Sequence, residues 1–176
     1  MGMGLTRQLG AAMALALACC ASAASAAEGN ARLEDSEQQR YIAGLKRLYL
    51  TGDERRALLE HCNSLLGTYA LRAGYQVGQP QRDDLSYRLS VGHPGELLAR
   101  EEQRAEHGTR LAVRTERLSV FGLDPFIRYE CPQSGITCTF YNPADGSPWL
   151  RTVRDLKGAE ELAKALSFLV RNVQKG

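Results

Sequence analysis

Near Asp84 the apolar residues of this chain change period, and that change decides its fold class. Before it, Tyr41, Ile42, Leu45, Leu48 and Tyr49 recur at helical spacing, and so do Leu58, Leu59, Cys62, Leu65, Leu66, Tyr69 and Ala73. After it, Leu85, Tyr87, Leu89 and Val91 alternate with Ser86, Arg88 and Ser90, as in a strand with one buried face. Ile127, Tyr129 and Cys131 alternate in the same way, and then Ile136, Cys138 and Phe140. The helical period returns in Leu162, Leu166, Leu169 and Val173. The order predicts an α+β fold: an N-terminal helical hairpin, an antiparallel β-meander of five to six strands, and one C-terminal helix packed on the sheet.

Local signals set the expected boundaries. Asp35 or Ser36 should cap a helix that ends near Leu50, and Thr51-Gly52-Asp53-Glu54 fits a capping box for the second helix, with Gly74 as its stop. His93-Pro94-Gly95 and Asn142-Pro143-Ala144-Asp145-Gly146 read as turns. Glu96–Glu106 is compatible with an edge strand or a polar helix and is assigned to a strand. Leu111, Val113 and Thr115 are out of phase with Leu118 and Val120, which predicts a bulge near Glu116 and Arg117. Trp149–Val153 is expected to return as the last strand. Glu160 and Glu161 near the start of the closing helix, and Arg171 and Lys175 near its end, suit the helix dipole.

Upstream, Arg7 precedes the apolar run Leu9–Ala18, which is shorter than the roughly 20 residues of a membrane span. Ala24-Ser25-Ala26 then satisfies the small-x-small cleavage rule. These features predict a signal peptide over residues 1–27 and a single mature α+β domain over 28–176, exported to the periplasm or secreted. Cys19 follows Ala16-Leu17-Ala18 and resembles a lipoprotein cleavage site with Ala where Leu is usual; Cys20 follows another Cys. Acylation at either would make the protein an outer-membrane lipoprotein, the one case in which membrane contact is expected.

Export leaves Cys62, Cys131 and Cys138 in an oxidising compartment. With Ser134-Gly135 at a hairpin tip, Tyr129 faces Phe140 and Cys131 faces Cys138, within disulfide reach. Zinc would want closer ligand spacing, and His61, His93 and His107 sit on unrelated elements. Redox catalysis would want Cys-x-x-Cys at a helix start. The expectation is a structural Cys131–Cys138 bridge, Cys62 as a buried thiol, and no metal or cofactor.

Composition narrows function without naming it. The 22 basic and 20 acidic side chains are interspersed, so nothing calls for nucleic acid. No nucleophile elbow, zinc-protease helix or phosphate loop occurs, and no catalytic residue is assigned. His61-Cys62 looks like a base beside a nucleophile, but adjacent helix residues point about 100° apart. Asp83-Asp84 and His93 read as loop and turn residues rather than ligands. Arg88, Arg114 and Arg128 each fall on the polar phase of a separate expected strand. They could line one sheet face for an anion, although pairing with cross-strand acids such as Glu116 and Glu130 is favoured. The stapled tip with Gln133 and Ser134, and Tyr141 as an amphipathic anchor, offers a second candidate contact site. The sequence therefore points to a small non-catalytic binding module of the bacterial envelope, its partner an envelope protein or an anionic envelope component. The alternative is a small periplasmic hydrolase without a recognisable motif.

Overall fold

The computed structural model describes residues 24–80, 82–106 and 110–176, with side chains from Ser36 onward. The apolar run at Leu9–Ala18, Cys19, Cys20 and His107 lie outside the described residues, while Ala24-Ser25-Ala26 opens the first helix. Helix α1 spans Ala24–Leu48, so it begins well before the expected cap at Asp35 or Ser36. Gln38–Gly176 form one compact unit that contains every strand of the described residues.

Helix α1 ends in a Schellman motif: Thr51 N–H donates to the Lys46 carbonyl at 3.0 Å and Leu50 N–H to Arg47 at 3.3 Å. Helix α2 (Glu54–Thr68) is capped by Asp53, whose carboxylate accepts from the Arg56 amide, rather than by Thr51. The Thr51 hydroxyl instead accepts from the Asp53 amide, and Glu54 is drawn away to accept from Asn172. The helix also stops before Gly74. From Leu71 the chain has turned extended and bridges Leu85, and a single 3-10 turn follows at Ala73–Tyr75.

Six strands follow, β1 (Asp83–Val91), β2 (Glu96–Ala105), β3 (Leu111–Ser119), β4 (Tyr129–Glu130), β5 (Thr137–Tyr141) and β6 (Pro148–Val153). They form two three-stranded antiparallel sheets, β1-β2-β3 and β4-β5-β6, rather than one meander. The break has a physical cause. Between β3 and β4 the backbone bonds to helix α3 (Leu156–Val173) and its C-terminal end instead of to a strand: Ile127 N–H donates to Ser167 Oγ, and the Gln174 amide donates to the carbonyls of Val120 and Leu123.

The ambiguous Glu96–Glu106 segment is a strand, β2, joined to β1 through His93-Pro94-Gly95. Gly95 has φ +75° after proline, as a type II turn requires, and a Cβ there would enter the Phe121 ring. The bulge expected near Glu116 and Arg117 is absent, since β2 and β3 pair without interruption from Glu96↔Ser119 to Arg104↔Leu111. The apparent phase slip was an exposed apolar pair: Leu111 and Val113 point outward, and Leu118 belongs to the inward set. An irregularity does occur at Phe140/Tyr141, where β5 meets β6.

The core lies between α2, α3 and the apolar parts of both sheets. Helix α3 contributes Leu162, Leu166, Leu169 and Val173, all fully buried, and α2 contributes Leu58, Cys62 and Leu66. Phe140 and Leu150 from the second sheet, and Leu89, Leu97 and Leu118 from the first, complete it. The free edge of β1 is covered at Leu89, whose amide and carbonyl both bond to the Asn63 side chain. Gly158 lies in the first turn of α3 against the Tyr69 ring, so any side chain there would displace the ring.

Candidate functional site

Register decides what the first sheet presents inward. Leu89↔Ala99 and Ala99↔Glu116 are partners, as are Tyr87↔Glu101 and Glu101↔Arg114. Because the side-chain period of a strand is two, Tyr87, Glu101, Arg114 and Glu116 share the face that carries Leu97 and Leu118. One end of that face is apolar and packs on the helices. The other is charged.

Opposite the charged end stands the face of the second sheet that carries Thr139, Tyr141 and Arg151. The two sheets enclose an open cleft of about 390 Å³, lined also by Ala99, Pro148 and Trp149. The Tyr87 hydroxyl donates to Glu101 Oε2 at 2.8 Å. Burial and then the Glu101 carboxylate push the Tyr87 phenol well up, while the nearby Arg151 guanidinium acts in the opposite direction. Glu116 accepts from Asn142 Nδ2 at 3.0 Å and meets Arg114 at 3.5 Å. Trp149 is 5 % exposed, and its indole N–H is buried with no hydrogen-bond acceptor among the described residues. A buried donor without a partner costs about 1–3 kcal/mol.

The expected arginine set divides. Arg88 is exposed on the outer face, opposite Arg100, which Glu102 neutralises at 2.9 Å. Arg114 is on the inward face, so these two cannot line one sheet face. Arg128 precedes β4, lies 4.0 Å over the Tyr141 ring and pairs with Glu130 at 3.2 Å. The pairings with Glu116 and Glu130 are present, but between residues two apart along the chain rather than across strands.

Tyr141 donates to Glu130 Oε2 at 2.8 Å, and this bond, more than burial, raises its phenol. It stands on the rim of the cleft. The hairpin tip is elsewhere: Gln133 and Ser134 are exposed at a turn closed by Gly135 N–H to Pro132 O, and Arg154 Nε holds the Pro132 carbonyl at 2.9 Å. Strand β5 runs away from that tip, so Tyr141 is about 13 Å further along and the three residues do not form one patch. The Cys131–Cys138 disulfide is formed, with Cα atoms 4.2 Å apart.

A second polar cluster joins α1, α2 and α3. His61 Nε2 lies 2.9 Å from Glu161 Oε1, His61 Nδ1 lies 3.0 Å from the Tyr49 hydroxyl, and Tyr41 donates to the same Glu161 oxygen at 2.7 Å. Glu161 can only accept, so with a neutral ring Nε2 carries the proton and Tyr49 donates to Nδ1. Cys62 turns instead to the core, where burial pushes its thiol far up and leaves it inert. His61 and Cys62 are therefore no catalytic pair. His93 is exposed at its turn. Asp84 accepts from the Ala73 amide, and Asp83 from the Gln103 side chain, at 2.9 and 2.6 Å. Among the described residues no group of three His, Cys, Asp or Glu side chains could hold a metal ion.

Sequence reasoning missed Tyr87, Glu101, Trp149 and Arg151 as cleft residues. A signal was present: counting by twos from Leu97 reaches Glu101, and counting back from Leu118 reaches Glu116 and Arg114. Among the described residues no helix is long and apolar enough to cross a membrane. Comparison of the chain with protein-family models, curated proteins and solved structures returned no match.

Proposed function

We propose that the chain is an exported, non-catalytic binding module of the bacterial envelope, processed near Glu28 and working in the periplasm, with the cleft between its sheets as the binding site. The observation that carries this reading is the polarity of the cleft. Folding ordinarily turns the polar phase of a half-buried strand outward, yet here Glu101 and Glu116 are half-buried on the inward phase, with Arg114 on the same face, Arg151 across the cleft, and beside them the unpartnered indole N–H of Trp149. Arrangements that cost stability are commonly kept where they bind something. The disulfide suits an oxidising compartment.

Capture from an envelope extract by the immobilised full mature chain tests the reading. Arg114→Glu with Arg151→Glu should abolish capture while circular dichroism and thermal unfolding show an intact fold. Capture unchanged by that pair, but weakened by Gln133→Lys with Ser134→Lys, would move the site to the hairpin tip.

The hydrolase alternative draws on the Tyr49–His61–Glu161 chain, which has the connectivity of a nucleophile, a base and an orienting acid. His61 does not line the inter-sheet cleft. That reading predicts that His61→Gln removes function and leaves the fold intact, whereas a binding module keeps its ligand.

A further inference from the structure

From the charges of the cleft we infer that its ligand is a free α-amino acid, held as a zwitterion; the inference rests on the cleft being the binding site. Two acids, Glu101 and Glu116, and two arginines, Arg114 and Arg151, line it, so it presents no net charge. A purely anionic ligand would meet two carboxylates, and a purely cationic one two guanidinia. Each like-charge encounter opposes binding.

The charges that lack an ion pair are one of each sign. Arg114 and Glu116 contact each other at 3.5 Å, whereas Glu101 and Arg151 have no ion pair among the described residues. Glu101 accepts from the Tyr87 hydroxyl at 2.8 Å, and Arg151 lines the same cleft on the opposite sheet, near enough to that phenol to act against its upward shift. A carboxylate and a guanidinium facing one cleft from its two sheets match a ligand that carries an ammonium and a carboxylate close together. The ammonium goes to Glu101, whose Oε1 is not engaged by Tyr87, and the carboxylate goes to Arg151, where guanidinium geometry favours two parallel bonds. The rings of Tyr141 and Trp149, with Pro148 and Ala99, then offer apolar surface to the ligand's side chain. Apolar side chains are therefore preferred.

Calorimetric titration of the full mature protein with L-phenylalanine, N-acetyl-L-phenylalanine and L-phenylalaninamide tests this on wild-type protein, so folding of a variant is not at issue. The free amino acid should bind, and each blocked form, lacking one charge, should bind at least about tenfold more weakly. Glu101→Gln should erase the discrimination against the N-acetyl form, and Arg151→Gln that against the amide. Equal or tighter binding of the N-acetyl form would overturn the zwitterion and mark an anion site. No binding of L-phenylalanine or L-leucine, with envelope capture still lost in the Arg114/Arg151 variant, would overturn the ligand class and leave the cleft reading standing. Capture indifferent to those arginines would overturn both.

Discussion

Leu50 is the one residue other than glycine, among those described, with a positive φ, 49°, and it is 93 % exposed. It occupies the position of the Schellman motif that glycine usually fills, because a Cβ crowds the following carbonyl in the left-handed region at a cost of about 1 kcal/mol. Leu50→Gly should therefore raise unfolding free energy by about 1 kcal/mol in urea titration; a loss would mean that the leucine makes a contact worth more than its strain. Glu161 is the other residue whose chemistry yields a test. Partial burial acts to raise its carboxyl, but the bonds from Tyr41 and His61 and the nearby Lys164 outweigh it and hold the carboxyl below its ordinary value. A carboxyl lowered in the folded state stabilises above the ordinary carboxylate range and ceases to do so as pH falls through that range into the folded-state value. Wild type should lose more stability between pH 7 and pH 3 than Glu161→Gln does, and equal losses would mean that this carboxylate contributes nothing to the pH dependence. Neither role was legible in the sequence. Leu50 read as the end of a helix, and Glu161 lies 100 residues along the chain from its partner His61.

Among the elements, the β4–β5 hairpin was the most legible, because everything that sets its register is local. Alternation fixes which faces match, and the Pro and Gly of the turn fix where the chain reverses, so Tyr129↔Phe140 follows and Cys131 meets Cys138. The turn itself centres on Gln133 and Ser134 rather than Ser134 and Gly135, which widens the loop around the bridge. Closing a ring of this length should stabilise by about 2–3 kcal/mol, chiefly through the unfolded chain. Reduction should lower the unfolding midpoint accordingly, and non-reducing digestion should yield one linked Cys131–Cys138 peptide, with Cys62 alkylated only after unfolding. Linkage of Cys62 to either partner would contradict the structure. β3 was less legible, since Leu111 and Val113 give an apolar phase that is the exposed one. The division into two sheets could not be read either, because it depends on Ser167 and Gln174 taking the backbone bonds that a fourth strand would have used.

At the scale of the whole molecule, the α+β class and the core residues of α3 were legible, since helical and strand periods are properties of contiguous residues. The cleft was not. Its lining comes from five strands in two sheets, and its polar residues lie on an inward phase that pattern reasoning assigns to the core. What the two sheets do together is the central claim: the inward charges are kept for a ligand rather than as incidental ion pairs. Non-denaturing mass spectrometry of the full mature protein recovered from the envelope of its producing cells tests this most directly. Wild type should carry a small molecule that is absent from the correctly folded Arg114→Glu, Arg151→Glu variant; the same adduct on both proteins, or on neither, would contradict the claim.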